Sequence, residues 1–197
     1  MKKIVLASNN KSKLREMREV LKEFDIEVIS QSEAGIYIDA EETGTTFKEN
    51  AEIKARAVYN ILHIPVISDD SGLCVDYLNG APGIYTSRYA GENATDDDRM
   101  NKLVNALKDA KDDERGCHYT SCVCYIDENG ISHFFEEYCK GYVAKEKKGN
   151  HGFGYDPIVV VENGKHVAEL TDEEKNAISH RGKAVRKFVE YLRNIQK

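Results

Sequence analysis

The densest chemistry in the sequence lies in Ser68-Asp69-Asp70-Ser71-Gly72, two adjacent carboxylates flanked by hydroxyls and closed by a glycine. The apolar run Pro65-Val66-Ile67 precedes it, so the expected element is a short buried strand running into a polar turn. Carboxylates at a strand end suit a hard cation such as Mg²⁺, which takes oxygen ligands and leaves room for substrate phosphates. Gly72 would permit a sharp turn or a close approach to a ligand. Taken alone, the same five residues also read as an ordinary polar turn after a core strand.

Three other stretches put cations where local structure disfavours them. Lys3 to Ala7 reads as a strand, Ser8, Asn9 and Asn10 are N-cap types, and Leu14, Met17, Leu21 and Phe24 recur at helical spacing. Lys11 and Lys13 then fall in a first helical turn, at the positive end of the dipole, where a bound anion would offset the repulsion. The stretch lacks the glycines and the Gly-Lys-Ser/Thr ending of a Walker loop. Lys54 lies three residues after Ala51 and four before Val58, on the apolar stripe of a helix that also carries Phe47 and Leu62. Its ammonium must snorkel to water or meet an anion. His180 and Arg181 open the last helix, whose core face is Ala184, Val185, Phe188 and Leu192, and they suit an anion or oxo-group clamp as well as a solvated surface. Set beside Glu42, Asp69 and Asp70, these cations suggest a metal–polyphosphate site, because phosphoryl transfer is catalysed mainly by positioning and charge neutralisation.

The elements that must hold these groups follow from periodicity and turn chemistry. Ile26 to Ile29 reads as a second strand, and Thr43-Gly44-Thr45 introduces the Lys54 helix. Leu73 to Asp76 continues extended, Asn79 to Gly83 is a turn cluster, and Thr95-Asp96-Asp97-Asp98 caps a helix carrying Met100, Leu103, Val104 and Leu107. Lys108 to Glu114 reads as a solvated loop. Cys117 to Ile126 and Ile131 to Val143 form a hairpin around Glu128-Asn129-Gly130, expected as a second lobe or an oligomer contact. The glycine-rich loop Gly149 to Pro157 leads into a strand at Ile158 to Val161, and Thr171-Asp172-Glu173-Glu174 opens a short helical turn containing Lys175. Strands alternating with helices make the class α/β.

A chain of 197 residues can bury one sizeable core. A formal net charge of -6 argues against broad binding to nucleic acid or an anionic membrane, without excluding a small anionic ligand. The apolar stretch near Met1 is too short for a secretory core and no run approaches spanning length, so a cytoplasmic location is expected. The five cysteines then read as reduced thiols. Cys122 and Cys124 share one face of a strand, which favours packing over a metal site with His118.

The same stretches resemble a known family. Ser8-Asn9-Asn10-Lys11-Ser12-Lys13, Glu42 to Ala51, Ser68 to Leu73, Gly80 to Gly91, Gly152 to Pro157 and Ser179-His180-Arg181-Gly182 are similar, in order and spacing, to the inosine/xanthosine triphosphate pyrophosphatases. The resemblance covers essentially the whole chain. It implies Mg²⁺-dependent hydrolysis of ITP, dITP and XTP to the monophosphate and pyrophosphate, in a homodimer. The implied fold is a long mixed twisted sheet flanked by helices, two lobes with a central cleft, as a single bilobal domain over 1–197. On this resemblance Ser8, Asn9, Asn10, Lys11, Ser12, Lys13 and Lys54 would bind the triphosphate. Glu42 and Asp70 would hold the metal, Asp70 would also be the base for water with Asp69 assisting, and Ser71 would contact substrate. Phe153, Gly154, Tyr155, Asp156, Lys175, His180 and Arg181 would surround the base, Phe153 or Tyr155 by stacking. Asn9 departs from the glycine common at that position, and Glu41 beside Glu42 leaves the metal ligand ambiguous by one residue.

Selectivity for a 6-oxo purine makes physical sense here. Donors from Lys175, His180 or Arg181 would be satisfied by the carbonyl of hypoxanthine or xanthine and left unpaired against the amino group of adenine. Rival readings are a Maf-like nucleotide pyrophosphatase acting on pyrimidine or modified nucleotides, a nucleotide sensor without chemistry, and an interaction module using the Tyr-rich hairpin. The Phe153–Asp156 loop and Ser179-His180-Arg181 favour the purine family over the first, and the carboxylates weigh against the second.

Overall fold

The computed structural model describes residues 2–22 and 24–195. Its strands are β1 (Lys2–Leu6), β2 (Ile26–Ser30), β3 (Val66–Val75), β4 (Gly116–Ile126), β5 (Ser132–Val143) and β6 (Val159–Val161), in one mixed sheet of order β2-β1-β3-β4-β5-β6. The helices are α1 (Lys11–Lys22), α2 (Phe47–Leu62), α3 (Asp96–Ala106), α4 (Asp172–Ile178) and α5 (His180–Ile195). β1 pairs in parallel with β2 and with β3, and β5 pairs antiparallel with β6. Parallel neighbours need crossovers, which α1 and α2 supply.

The chain divides into two compact units. The first comprises Met1–Asp70, Ser121–Glu137 and His180–Lys197; the second comprises Ser71–Thr120 and Tyr138–Ser179. In the first unit alternate residues of each strand serve opposite faces. Ile4, Leu6, Ile67, Val123 and Tyr125 pack with Met17 and Leu21 of α1 and Phe188 and Leu192 of α5. Val5, Val66, Cys124 and Ile126 pack instead with Ala51, Ala55 and Val58 of α2. Both faces are covered, which is why β3 and β4 read as near-continuous buried runs. The second unit has its own core, where Leu73, Val75, Tyr119, Val143 and Val159 meet Met100, Leu103 and Leu107.

One expectation is corrected. Ser68 to Gly72 is not a turn, because β3 runs unbroken through it to Val75. β3 lies between β1 and β4, so the ladder keeps the backbone extended, and the polar side chains are paid for by partners on the flanking helices. The hairpin strands β4 and β5 are interior strands of the one sheet, and β4 is buried along most of its length. Helix starts at Thr95 and Thr171 are closed by capping boxes with Asp98 and Glu174, as their spacing implies. The helix of Lys54 starts at Phe47, just after Thr43-Gly44-Thr45, with Thr46 as its N-cap and Glu49 as the reciprocal partner. All five cysteines are free thiols. Among the described residues no helix is long and apolar enough to cross a membrane.

Candidate active site

The period of two along β3 decides where its carboxylates point. Asp70 shares the face of Val66 and Ser68. Ser68 Oγ donates to Ala51 O of α2 at 2.5 Å, and Lys54 of α2 reaches Asp70 Oδ1 at 2.6 Å. The same Lys54 ammonium lies 2.9 Å from Glu42 Oε1. Glu42, not Glu41, is therefore the acid gathered beside Asp70, while Glu41 is exposed. Burial works to discharge Lys54, but Asp70 and Glu42 overcome it and hold the ammonium above its ordinary value. Burial pushes the Asp70 carboxyl up, against Lys54 and Lys13, and Glu42 adds to the push. Asp70 Oδ2 is buried with no hydrogen-bond partner.

These features fit a divalent cation. Two carboxylates already converge on one cationic nitrogen, and one buried carboxylate oxygen has an unused lone pair. Among the described residues no group of three or more His, Cys, Asp or Glu has metal-holding geometry.

Asp69 faces the other way, with Ile67, toward α1 and α5. Its Oδ2 lies 3.0 Å from Lys13 Nζ and 3.1 Å from Arg181 Nε, and its Oδ1 accepts a hydrogen bond from Ser121. Arg181 also pairs with Glu16 of α1, and Glu16, Asp69 and Arg181 are all almost fully buried. Burial raises the Asp69 carboxyl, but Arg181, Lys13 and Ser121 outweigh it and hold the group far below the usual carboxylate range. Burial, with Lys54 and Arg181 nearby, pulls Lys13 down against the support of Asp69. Of the two readings open for Arg181, a clamp or a solvated surface residue, the second is excluded: its guanidinium is held between two buried carboxylates. His180, at the start of α5, is also buried.

The segment ahead of α1 is simpler than its sequence. Of the three candidate caps, Asn10 does the capping, its Oδ1 accepting from Ser12 N at 3.0 Å and Lys13 N at 3.1 Å. Ser8 Oγ accepts from Asn10 N at 3.1 Å, and Asn9 and Lys11 are exposed.

In the second unit, Asp156 is the hub. Its Oδ2 lies 2.9 Å from Lys175 Nζ and accepts from Phe153 N at 3.0 Å, while Tyr119 OH donates to Oδ1 at 3.1 Å. Lys175 Nζ also stands 4.7 Å from the centre of the Phe153 ring. Tyr155 is a core residue, 2% exposed, with its hydroxyl donating to Thr86 O at 3.1 Å. Phe153 is therefore the ring of this pair that can present a face. Gly154 N donates to Asp96 at 2.8 Å, and Ser71 is half-buried on β3.

Some supporting residues escaped sequence reading. Glu16 falls on the buried stripe of α1 beside Met17, a signal that needed Arg181, far along the chain, to interpret. Asn50 Oδ1 accepts from Gly44 N at 2.8 Å and fastens the segment after Glu42 to α2. A Cβ on Gly44 would sit 2.6 Å from that oxygen, so the close approach itself calls for glycine. Tyr119 and Asp96 were read only as a strand residue and a helix cap.

Residues 4–191 match the model of the Ham1 family. The chain is 47% identical to a dITP/XTP pyrophosphatase of Photorhabdus laumondii, the match covering 98% of this chain and 100% of the relative. It is 46% identical to the dITP/XTP pyrophosphatase of Clostridium perfringens, with 100% of both covered. A solved HAM1 protein from Coxiella burnetii superposes with a TM-score of 0.89 at 44% identity, covering 98% of this chain and 100% of that one.

Proposed function

The chain belongs to the Ham1 family, and from that premise we propose that it is a nucleoside-triphosphate pyrophosphatase, hydrolysing dITP, ITP and XTP to the monophosphate and pyrophosphate. The observation that carries this reading is the Lys54–Glu42–Asp70 cluster with its unpartnered buried oxygen, in the same unit as Lys13.

Glu42 and Asp70 would hold Mg²⁺, which when bound neutralises charge on the triphosphate. Lys13 and Lys54 contribute the remaining positive charge, and Ser8 to Ser12 supply short polar side chains and backbone N–H groups for phosphate oxygens. Asp70, with its carboxyl raised by burial, accepts a proton from the attacking water. Water adds to phosphorus, the bond to the pyrophosphate leaving group breaks, and the proton resides on Asp70 before release. Asp69 acts by holding Lys13 and Arg181 in place rather than by touching the reacting atoms. Phe153 offers its ring to the purine, and Asp156, Lys175, His180 and Arg181 read polar groups of the base. Ser71 contacts substrate. The sequence resemblance further supports a homodimer and one domain made of both units; a cytoplasmic location is part of the same proposal.

The test is pyrophosphate release from ITP, XTP, ATP and dTTP with and without Mg²⁺. Turnover of ITP and XTP alone, dependent on Mg²⁺, is expected. Equal turnover of dTTP would favour the Maf-like reading, and binding without turnover would favour a sensor.

A further inference from the structure

The segment Gly80 to Gly91 and the acidic start of α3 have no role in the reading above, yet both touch the glycine-rich loop. Gly154 N donates to Asp96 Oδ2 at 2.8 Å. The other Asp96 oxygen is held by Arg99, one turn along α3, and Arg99 donates in turn to Ser87 O at 2.8 Å and Ala94 O at 2.7 Å. One residue further along the loop, Tyr155 OH reaches Thr86 O at 3.1 Å, and Thr86 Oγ1 accepts from Leu73 N at 2.9 Å. The loop is therefore seated at consecutive residues on the turn Gly83–Arg88, once through Asp96 and Arg99 and once through Tyr155. Burial raises the Asp96 carboxyl, but hydrogen bonds from Arg99 and Gly154 hold it below the usual range.

We propose that Asp96, clamped by Arg99, is a positioning residue for base recognition, holding Phe153 and Gly154 where the loop meets the purine. This rests on the reading that the Phe153 loop takes the base. The ordinary alternative is that Asp96 only favours the positive end of α3, as any acid in a first turn does. Asp97 separates the two. It occupies the next position of the same turn, is largely exposed, and pairs with Lys147 at 3.0 Å rather than with the loop backbone.

The experiment measures KM and kcat for dITP, and inhibition by inorganic triphosphate, which has no base, in Asp96→Ala, Asp96→Asn, Asp97→Asn and Phe153→Ala. Misplacing a substrate-binding group by a fraction of an ångström to one ångström costs about tenfold to a hundredfold. Asp96→Ala is expected to raise KM for dITP about tenfold, with kcat and triphosphate inhibition little changed. Asp96→Asn, which keeps an oxygen for Gly154 N–H, should recover part of the loss, and Asp97→Asn should match wild type. If Asp97→Asn reproduces Asp96→Ala, or if triphosphate inhibition weakens in parallel with dITP, the positioning role is overturned. If Phe153→Ala raises KM and Asp96→Ala does not, the inference alone fails. If Phe153→Ala also leaves KM unchanged, the assignment of the loop to the base fails with it.

Discussion

Asp69 and Asp70 are chain neighbours of identical chemistry, and β3 turns them into opposites. On the α1/α5 face, Asp69 is enclosed by Lys13, Arg181 and Ser121, with Glu16 balancing the far side of Arg181. On the α2 face, Asp70 has one oxygen on Lys54 and the other buried without a partner. The first arrangement is closed: every charge has a counter-charge, and the carboxyl is held ionised. The second is open, with a lone pair available for a cation or a proton. A closed buried ion network holds groups in place and is costly to break from one side; an open one is suited to chemistry.

The sharpest way to break the contrast is Arg181→Ala. It strands Asp69 and Glu16 in the interior, and removal of one partner from a buried ion network costs about 3–5 kcal/mol. Urea denaturation should show a midpoint lowered accordingly with the slope unchanged. A midpoint shift under about 1 kcal/mol would place Arg181 among weakly coupled surface ion pairs. On the other face, Asp70→Asn should leave the midpoint close to wild type, since Glu42 still faces Lys54. Pyrophosphate release should fall at least about 10²-fold, the usual contribution of a general base. Retained turnover would remove Asp70 from the chemistry.

How far this contrast was legible in the sequence depends on how local its causes are. The α2 stripe, the caps at Thr95 and Thr171, and the misplaced cations Lys13 and Lys54 follow from spacing within a few residues, and the structure has them at the ends and faces expected. Ser68 to Gly72 misread as a turn because its strand character comes from neighbours on either side of β3, and composition alone favours a turn. The sequence left Arg181 open between a clamp and a solvated surface residue because its partners, Glu16 and Asp69, lie more than a hundred positions away. Glu41 and Glu42 could not be separated until Lys54 was seen to choose Glu42. The seat of Gly154 on Asp96 was hidden for the same reason, a backbone N–H having no residue type to betray it.

The gentlest probe of the two faces is Cys122, on β4. Its thiol is pushed up to about 12, by burial first and then by the carboxylates of Glu136, Asp69 and Asp70. The unfolded chain would ionise such a thiol near its ordinary value, so folding keeps it protonated across the interval between, and this contribution to stability fades as pH rises through that interval. With Cys122 as the sole cysteine and its β-carbon labelled, NMR chemical shifts can follow its titration. Removing the charge of Asp70 as Asn should move the onset of that titration to lower pH, by less than the burial contribution that remains. Because Asp70 raises Cys122 less than burial, Glu136 and Asp69 do, the shift should be small; an onset identical to wild type would mean that Asp70 does not act on the Cys122 thiol through its charge.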